Sequence, residues 1–189
     1  MASEVILVNE LDEPVGTMDK IEAHLKALLH RAFSVFIFNS KGEMLLQQRA
    51  QNKYHSGGLW TNACCSHPLP GENTLDAAIR RLREEMGITA NLKEIFEFTY
   101  QTTFENGLTE FEYDHVFAGI NEDVIVPDGN EVKDYCFKGM EEIRASLLTH
   151  PQKYTSWFLI AFPLIDKWVG KNFEIMASTV SEAPTYTTL

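Results

Sequence analysis

Two adjacent thiols and a histidine, Cys64, Cys65 and His67, fall within the stretch Trp60-Thr61-Asn62-Ala63-Cys64-Cys65-Ser66-His67-Pro68. Neighbouring cysteines are too close for an unstrained disulfide with each other, and the spacing is not that of a zinc knuckle. A thiol held beside a metal-ligating imidazole is the chemical reading; two small buried hydrophobes is the packing alternative. A second group is Glu110, Glu112 and Asp114, which period-two geometry puts on one face of a strand, with Phe111, Tyr113, His115 and Phe117 on the other. Three carboxylates side by side repel one another, and a bound divalent cation would remove that repulsion; for Asp114 a solvated strand face is also open. With His24 and His30 added, the residues His24, His30, His67, Glu110 and Glu112 offer nitrogen and oxygen ligands suited to Mn²⁺, Mg²⁺ or Zn²⁺. His55, His115 and His150 have no such company.

The elements that must position these groups follow from pattern. Residues 5–9 and 15–18 read as a hairpin, and Asp19 as the N-cap of a helix over 20–29 with Ile21, Leu25 and Leu28 at helical spacing. On one continuous helix His24 and His30 would stand about 240° apart around the axis, so they share a ligand only if the helix stops between them. The β-rich run 32–38 supplies a reason for that stop; it ends in the turn Asn39-Ser40-Lys41-Gly42 and pairs with 44–49. Residues 50–58 are a polar loop. Thr74 can cap a helix ending at Gly87, with Leu75, Ala78, Ile79, Leu82 and Met86 as its apolar stripe. Strands are expected over 92–104, 109–117 and 134–138, a short helix over 140–148 and an amphipathic helix over 156–168, where Trp157 reads as a core aromatic.

Composition bounds the class. The chain has 189 residues, 44% hydrophobic and 23% charged, which suits one globular domain, set here at 1–176. Residues 177–189, rich in Ser, Thr and Pro, are expected to be a disordered tail. No apolar run approaches the roughly 20 residues of a membrane span, and the N-terminus lacks signal-peptide character. Three cysteines make no disulfide framework, so a cytoplasmic location is expected. A net charge of −11 argues against nucleic acid as a partner and requires a local basic cluster or a metal ion for any anionic substrate.

Taken together, Trp60-Thr61-Asn62, Cys65-X-His67-Pro68, the helix Ala78-Ile79-Arg80-Arg81-Leu82-Arg83-Glu84-Glu85-Met86-Gly87, the Glu110-X-Glu112 strand and Ser156-Trp157 resemble the type I isopentenyl diphosphate isomerases of the Nudix superfamily, over about 5–168. The resemblance implies an α+β Nudix fold, a mixed central sheet sandwiched by helices, with additional N-terminal strands and a C-terminal helix. It also implies a small-molecule diphosphate substrate, no membrane partner and a monomer or homodimer. A pyrophosphate-hydrolysing Nudix box carries a glutamate where this chain has Arg81, which weakens the alternative of a nucleoside diphosphate hydrolase. A non-catalytic metal-binding domain is the other alternative.

The residue roles come from the same resemblance. Glu85 would hold a Mg²⁺ bridging to the diphosphate. Glu112, beside Tyr100, and Cys65 would exchange protons with the substrate, and Trp157 would face the carbocation. Lys20, Arg49, Lys53 and Arg81 would surround the diphosphate. Ser66 stands where the family often has glycine, and Cys64 is an additional thiol; motif alignment favours Cys65 as the reacting one.

Overall fold

The alternation of β3 (His30–Phe38) divides the core in two. The computed structural model describes residues 4–180, with side chains described through 173. Odd-numbered Phe33, Val35 and Ile37 pack with Ala78, Leu82 and Met86 of α2 (Thr74–Met86). Even-numbered Phe36 and Phe38 pack with Phe158, Phe162 and Ile165 of α4 (Ser156–Val180) and Ile143 of α3 (Met140–Thr149). Period two thus sends neighbouring side chains to opposite faces of a mixed sheet, and helices cover both.

An N-terminal hairpin, β1 (Glu4–Val8) and β2 (Pro14–Asp19), leads into α1 (Lys20–Leu25). Asp19 caps α1 by accepting from the Glu22 N–H at 3.1 Å. This helix ends at Leu25 rather than running to residue 29, because Ala27 turns into the left-handed region at φ 50°. The required stop is therefore present, and His30 opens β3 instead of lying on a helix.

β3 runs parallel to β8 (Thr109–Ile120) along its whole length, His30 opposite Glu112 and Phe38 opposite Ile120. Its other edge is shared among three antiparallel partners. These are β1 at His30, β6 (Cys64–Ser66) at Phe33 to Val35, and β4 (Met44–Arg49) at Phe38. The two-residue β5 (Trp60–Thr61) shares with β3 one edge of β4, β9 (Val132–Lys138) extends the sheet from the other, and β7 (Lys93–Thr103) pairs with β8 on the far side. Because one edge of β3 is divided among short partners, loops enter the sheet there and a cleft opens.

Asn73, not Thr74, caps α2, its Oδ1 accepting from Leu75 N–H at 2.9 Å and Asp76 N–H at 3.3 Å. Gly87 ends the helix at φ 70°, where any Cβ would meet the Val126 carbonyl oxygen at 2.2 Å. Arg144 of α3 grips Asp166 of α4 with two bonds of 2.7 and 2.9 Å. α4 continues to Val180, twelve residues past the end expected from pattern and into the segment expected as tail; 181–189 lie outside the described residues. Among the described residues no helix is long and apolar enough to cross a membrane.

Candidate active site

Three imidazoles and one carboxylate converge where α1, β3, β6 and β8 meet. His24 comes from α1, His30 opens β3, His67 follows β6 and Glu112 lies beside His30 in register. The Nε2 atoms of His67, His30 and His24 stand 3.0, 3.5 and 4.0 Å from the single oxygen Glu112 Oε1. His30 Nδ1 donates to the Leu28 carbonyl at 2.7 Å, which fixes the ring's orientation and leaves Nε2 as the nitrogen that faces Glu112. His24 is 1% exposed, yet neither ring nitrogen has a hydrogen-bond partner. Burial, and then His67 and His30 nearby, push His24 down to about 3, so it is neutral at pH 7. Burial likewise lowers His67.

Buried imidazole nitrogens without a hydrogen-bond partner, both of those of His24 and Nε2 of His30, are costly in a protein core unless something binds them. A divalent cation satisfies that donor set, and candidate ligand atoms of the four residues lie within 4.8 Å of one another. Burial alone would raise the Glu112 carboxyl, but His30 and His67 outweigh it and hold it well below its ordinary range.

Glu110 is not in that converging set. Its Oε2 lies 3.2 Å from the Tyr100 oxygen, and its Oε1 lies 3.2 Å from His55 Nε2. The one Tyr100 hydrogen goes to the nearer acceptor, Glu112 Oε2 at 2.6 Å, so one phenol stands against both glutamates. Burial and the neighbouring Glu112 charge raise the Glu110 carboxyl. His55, set apart on sequence, is part of this wall. It is buried, stacks on Phe104 at 4.3 Å and meets Trp157 edge-on at 5.7 Å. Its place in a polar loop gave only a weak signal. Asp114 also departs from a solvated face: it is 2% exposed, because the even-numbered side of β8 is the one covered by the α4 cluster, which Val116, Ala118 and Ile120 join.

Alternation also separates the two thiols. Cys64 points into the α2 core, fully buried, whereas Cys65 points to the opposite face and lines the cleft. Cys65 Sγ lies 3.1 Å from Asn62 Oδ1 and 3.5 Å from Ser34 Oγ. Burial pushes the Cys65 thiol up, so S–H is its form in the free protein. Strands β6 and β8 flank opposite edges of β3, so Cys65 and Glu112 enter the cleft from different sides of the central strand.

The cleft, including its open mouth, encloses about 620 Å³ and is lined by all four expected cations, Lys20, Arg49, Lys53 and Arg81. Burial and then Lys53, Arg81 and Arg49 lower the Lys20 ammonium, the signature of like charges facing a common space. Arg81 binds Glu84 at 2.6 Å and Glu85 at 2.7 Å, and Gln47 donates to the other oxygen of Glu85 at 3.1 Å. Glu131, which no motif marked, pairs with Lys53 and lies 3.6 Å from Arg81. Trp157 serves both core and site: it is 4% exposed, packs with the α4 cluster, lines the cleft and carries the Arg49 guanidinium 5.0 Å from its ring centre.

Comparison with known proteins accords with this geometry. A NUDIX domain model matches residues 28–158. An isopentenyl-diphosphate Delta-isomerase from Pectobacterium atrosepticum is 50% identical over 167 residues, covering 88% of this chain and 93% of its own. The chain belongs to the Nudix-type isopentenyl-diphosphate Delta-isomerase family. Another such isomerase, from Burkholderia multivorans, is 42% identical over 90% of this chain and 100% of its own. Solved structures of low identity share the isomerase family's Nudix fold. A Deinococcus radiodurans protein gives a TM-score of 0.69 at 17% identity over 85% of this chain and 98% of that one. A MutT protein from Methanosarcina mazei gives 0.61 at 23% identity over 74% and 94%.

Proposed function

We propose that this chain interconverts isopentenyl and dimethylallyl diphosphate by adding a proton at one end of an allyl unit and removing one at the other. The observation that carries the mechanism is a cleft where a thiol and a phenol-bonded carboxylate, Cys65 and Glu112, stand beside four cations. The chemistry explains the need for each part. An unactivated alkene is a very weak base, and its protonation gives a tertiary carbocation that water would capture. Glu112 delivers the proton to C4, with Tyr100 holding its second oxygen. Cys65 removes a proton from C2, and the C2–H electron pair becomes the new double bond. In the reverse direction the roles exchange. The free protein's distribution, thiol on Cys65 and carboxylate on Glu112, is the one from which the reverse direction starts.

Lys20, Arg49, Lys53 and Arg81 neutralise the diphosphate, which a chain of net charge −11 needs locally. Trp157 offers a π face to the cation, worth about 2 kcal/mol when desolvated. His24, His30, His67 and Glu112, with Glu110 adjacent, would hold a Mn²⁺, Mg²⁺ or Zn²⁺ ion, and Glu85 a Mg²⁺ at the diphosphate; such ions supply positive charge that lowers the proton affinity of bound carboxylates. Arg81, in the place of a hydrolytic glutamate, disfavours the water-activating cluster of a Nudix hydrolase. The test is Cys65→Ala beside Cys64→Ala. The first abolishes isomerisation with fold and bound metal retained; activity surviving in it, or lost only in Cys64→Ala, overturns the assignment of the thiol.

A further inference from the structure

Behind Cys65 lies a polar chain that the proposed proton transfers do not use. Asp114 on β8 is 2% exposed; its Oδ2 accepts from the Ser34 hydroxyl at 2.7 Å, and its Oδ1 is buried with no partner. Ser34, 4% exposed on β3, places the same Oγ 3.5 Å from Cys65 Sγ. On the other side of the sulfur stands Asn62, fully buried, whose Nδ2 donates to the Val35 and Cys64 carbonyls at 3.0 Å each. With both amide hydrogens committed, Oδ1 can only accept, and it takes the Thr61 hydroxyl at 2.9 Å and the Cys65 thiol at 3.1 Å.

A buried carboxyl group with one orphaned oxygen is an expensive core residue, and replacing it with an apolar side chain would remove that cost. Its one hydrogen bond goes to a hydroxyl that touches the thiol. A serine hydroxyl is a rotor with one hydrogen. While Asp114 accepts that hydrogen, Ser34 Oγ presents only lone pairs to the sulfur, so the one S–H hydrogen lies between two fixed acceptors, Asn62 Oδ1 at 3.1 Å and Ser34 Oγ at 3.5 Å; without Asp114 the hydroxyl is free to turn and donate instead.

We infer that Ser34 and Asp114 are positioning residues for Cys65: Asp114 locks the Ser34 hydroxyl, and the locked hydroxyl together with Asn62 fixes the thiol against the substrate. Sulfur is thereby held from two elements, β3 and the β5–β6 turn. Displacement of a reacting atom by about 1 Å is enough to cost a hundredfold in rate. This role acts on the geometry of the chemical step and leaves diphosphate binding alone, since neither Ser34 nor Asp114 lines the cleft.

The experiment measures kcat and KM for isopentenyl diphosphate, metal content and melting temperature in Ser34→Ala, Asp114→Ala, Asp114→Asn and the double alanine variant. Ser34→Ala and Asp114→Ala should each lower kcat by about 30-fold, with KM within about twofold and metal content unchanged. Asp114→Asn keeps an oxygen that can accept from Ser34 and should recover most of what Asp114→Ala loses. Because both residues act through one chain, the double variant should be no slower than the slower single one. Should Asp114→Ala fail to fold, Ser34→Ala, which removes one oxygen, still decides. Full kcat in Ser34→Ala, losses that multiply in the double variant, or Asp114→Asn as slow as Asp114→Ala overturns the inference. The inference rests on Cys65 being the reacting thiol, and the outcomes separate the two: an active Cys65→Ala sinks that reading, whereas an inactive Cys65→Ala with a fully active Ser34→Ala sinks only the positioning role.

Discussion

Replacing His24 with leucine should move stability in opposite directions with and without metal. In the metal-free protein both ring nitrogens of His24 are buried without a partner, in a side chain 1% exposed. An unsatisfied buried polar group costs about 1–3 kcal/mol, and leucine of similar bulk removes that cost. For a chain of this size 1 kcal/mol is about 2–4 °C in Tm, so metal-free His24→Leu should melt roughly 2–12 °C above the metal-free native chain. With metal the order reverses. An ion at about a thousand times its Kd stabilises the native chain by about 4 kcal/mol, or roughly 8–16 °C, while the variant, lacking one ligand, gains much less. The assay is a pair of thermal melts for each protein, one after exhaustive chelation and one with Mn²⁺, Mg²⁺ or Zn²⁺ restored. A variant equally destabilised in both conditions would show that His24 is a packing residue and refute the reasoning.

Three further outcomes are expected. Arg81→Gln removes a guanidinium that lines the cleft and pairs with Glu84 and Glu85; losing one charge-assisted contact to the diphosphate, about 1.5–3 kcal/mol, should lower kcat/KM by roughly 10- to 150-fold, mostly through KM, and an unchanged KM would contradict its role. Trp157→Leu should lower kcat by up to about 30-fold and Trp157→Phe by less, because phenyl keeps a π face; equal losses would point to packing alone. The Arg80 hydrogen bond holds the Glu72 carboxyl below its ordinary 4.5. A depressed carboxyl stabilises the fold above its unfolded value and loses that effect as pH falls through its folded value. Native and Glu72→Gln proteins should therefore differ by about 1 kcal/mol or less at pH 7 and converge in acid, as read by melts across pH.

The legible part of the site was the part encoded in local spacing. Period two in β8 put Glu110 and Glu112 on one face, and the β-rich run after His30 forced the helix stop that lets His24 and His30 meet. The same alternation separates Cys64 from Cys65, although on sequence only motif alignment favoured Cys65. What was not legible depends on tertiary neighbours. His55 sits in an irregular loop whose path is set by Phe104 and Trp157, far away in sequence. Glu131 precedes an edge strand and acquires meaning only when Lys53 and Arg81 are beside it. Asp114 looked like a candidate for water because charge usually marks exposure, yet its partner is a serine on the neighbouring parallel strand. Strand pairing at that range leaves no mark in residue spacing. Individual elements such as β3 and α2 were readable because their apolar stripes are long and regular, whereas the Nudix arrangement of sheet and helix layers came from the motif resemblance.

The most direct measurement of the central claim is deuterium incorporation when the protein is incubated with isopentenyl diphosphate in heavy water. Dimethylallyl diphosphate carrying deuterium in the methyl derived from C4 is the expected result, with no label and no product from Glu112→Gln or Cys65→Ala of unchanged fold. Metal uptake by the native chain without any exchange into substrate, or release of phosphate in its place, would contradict the account.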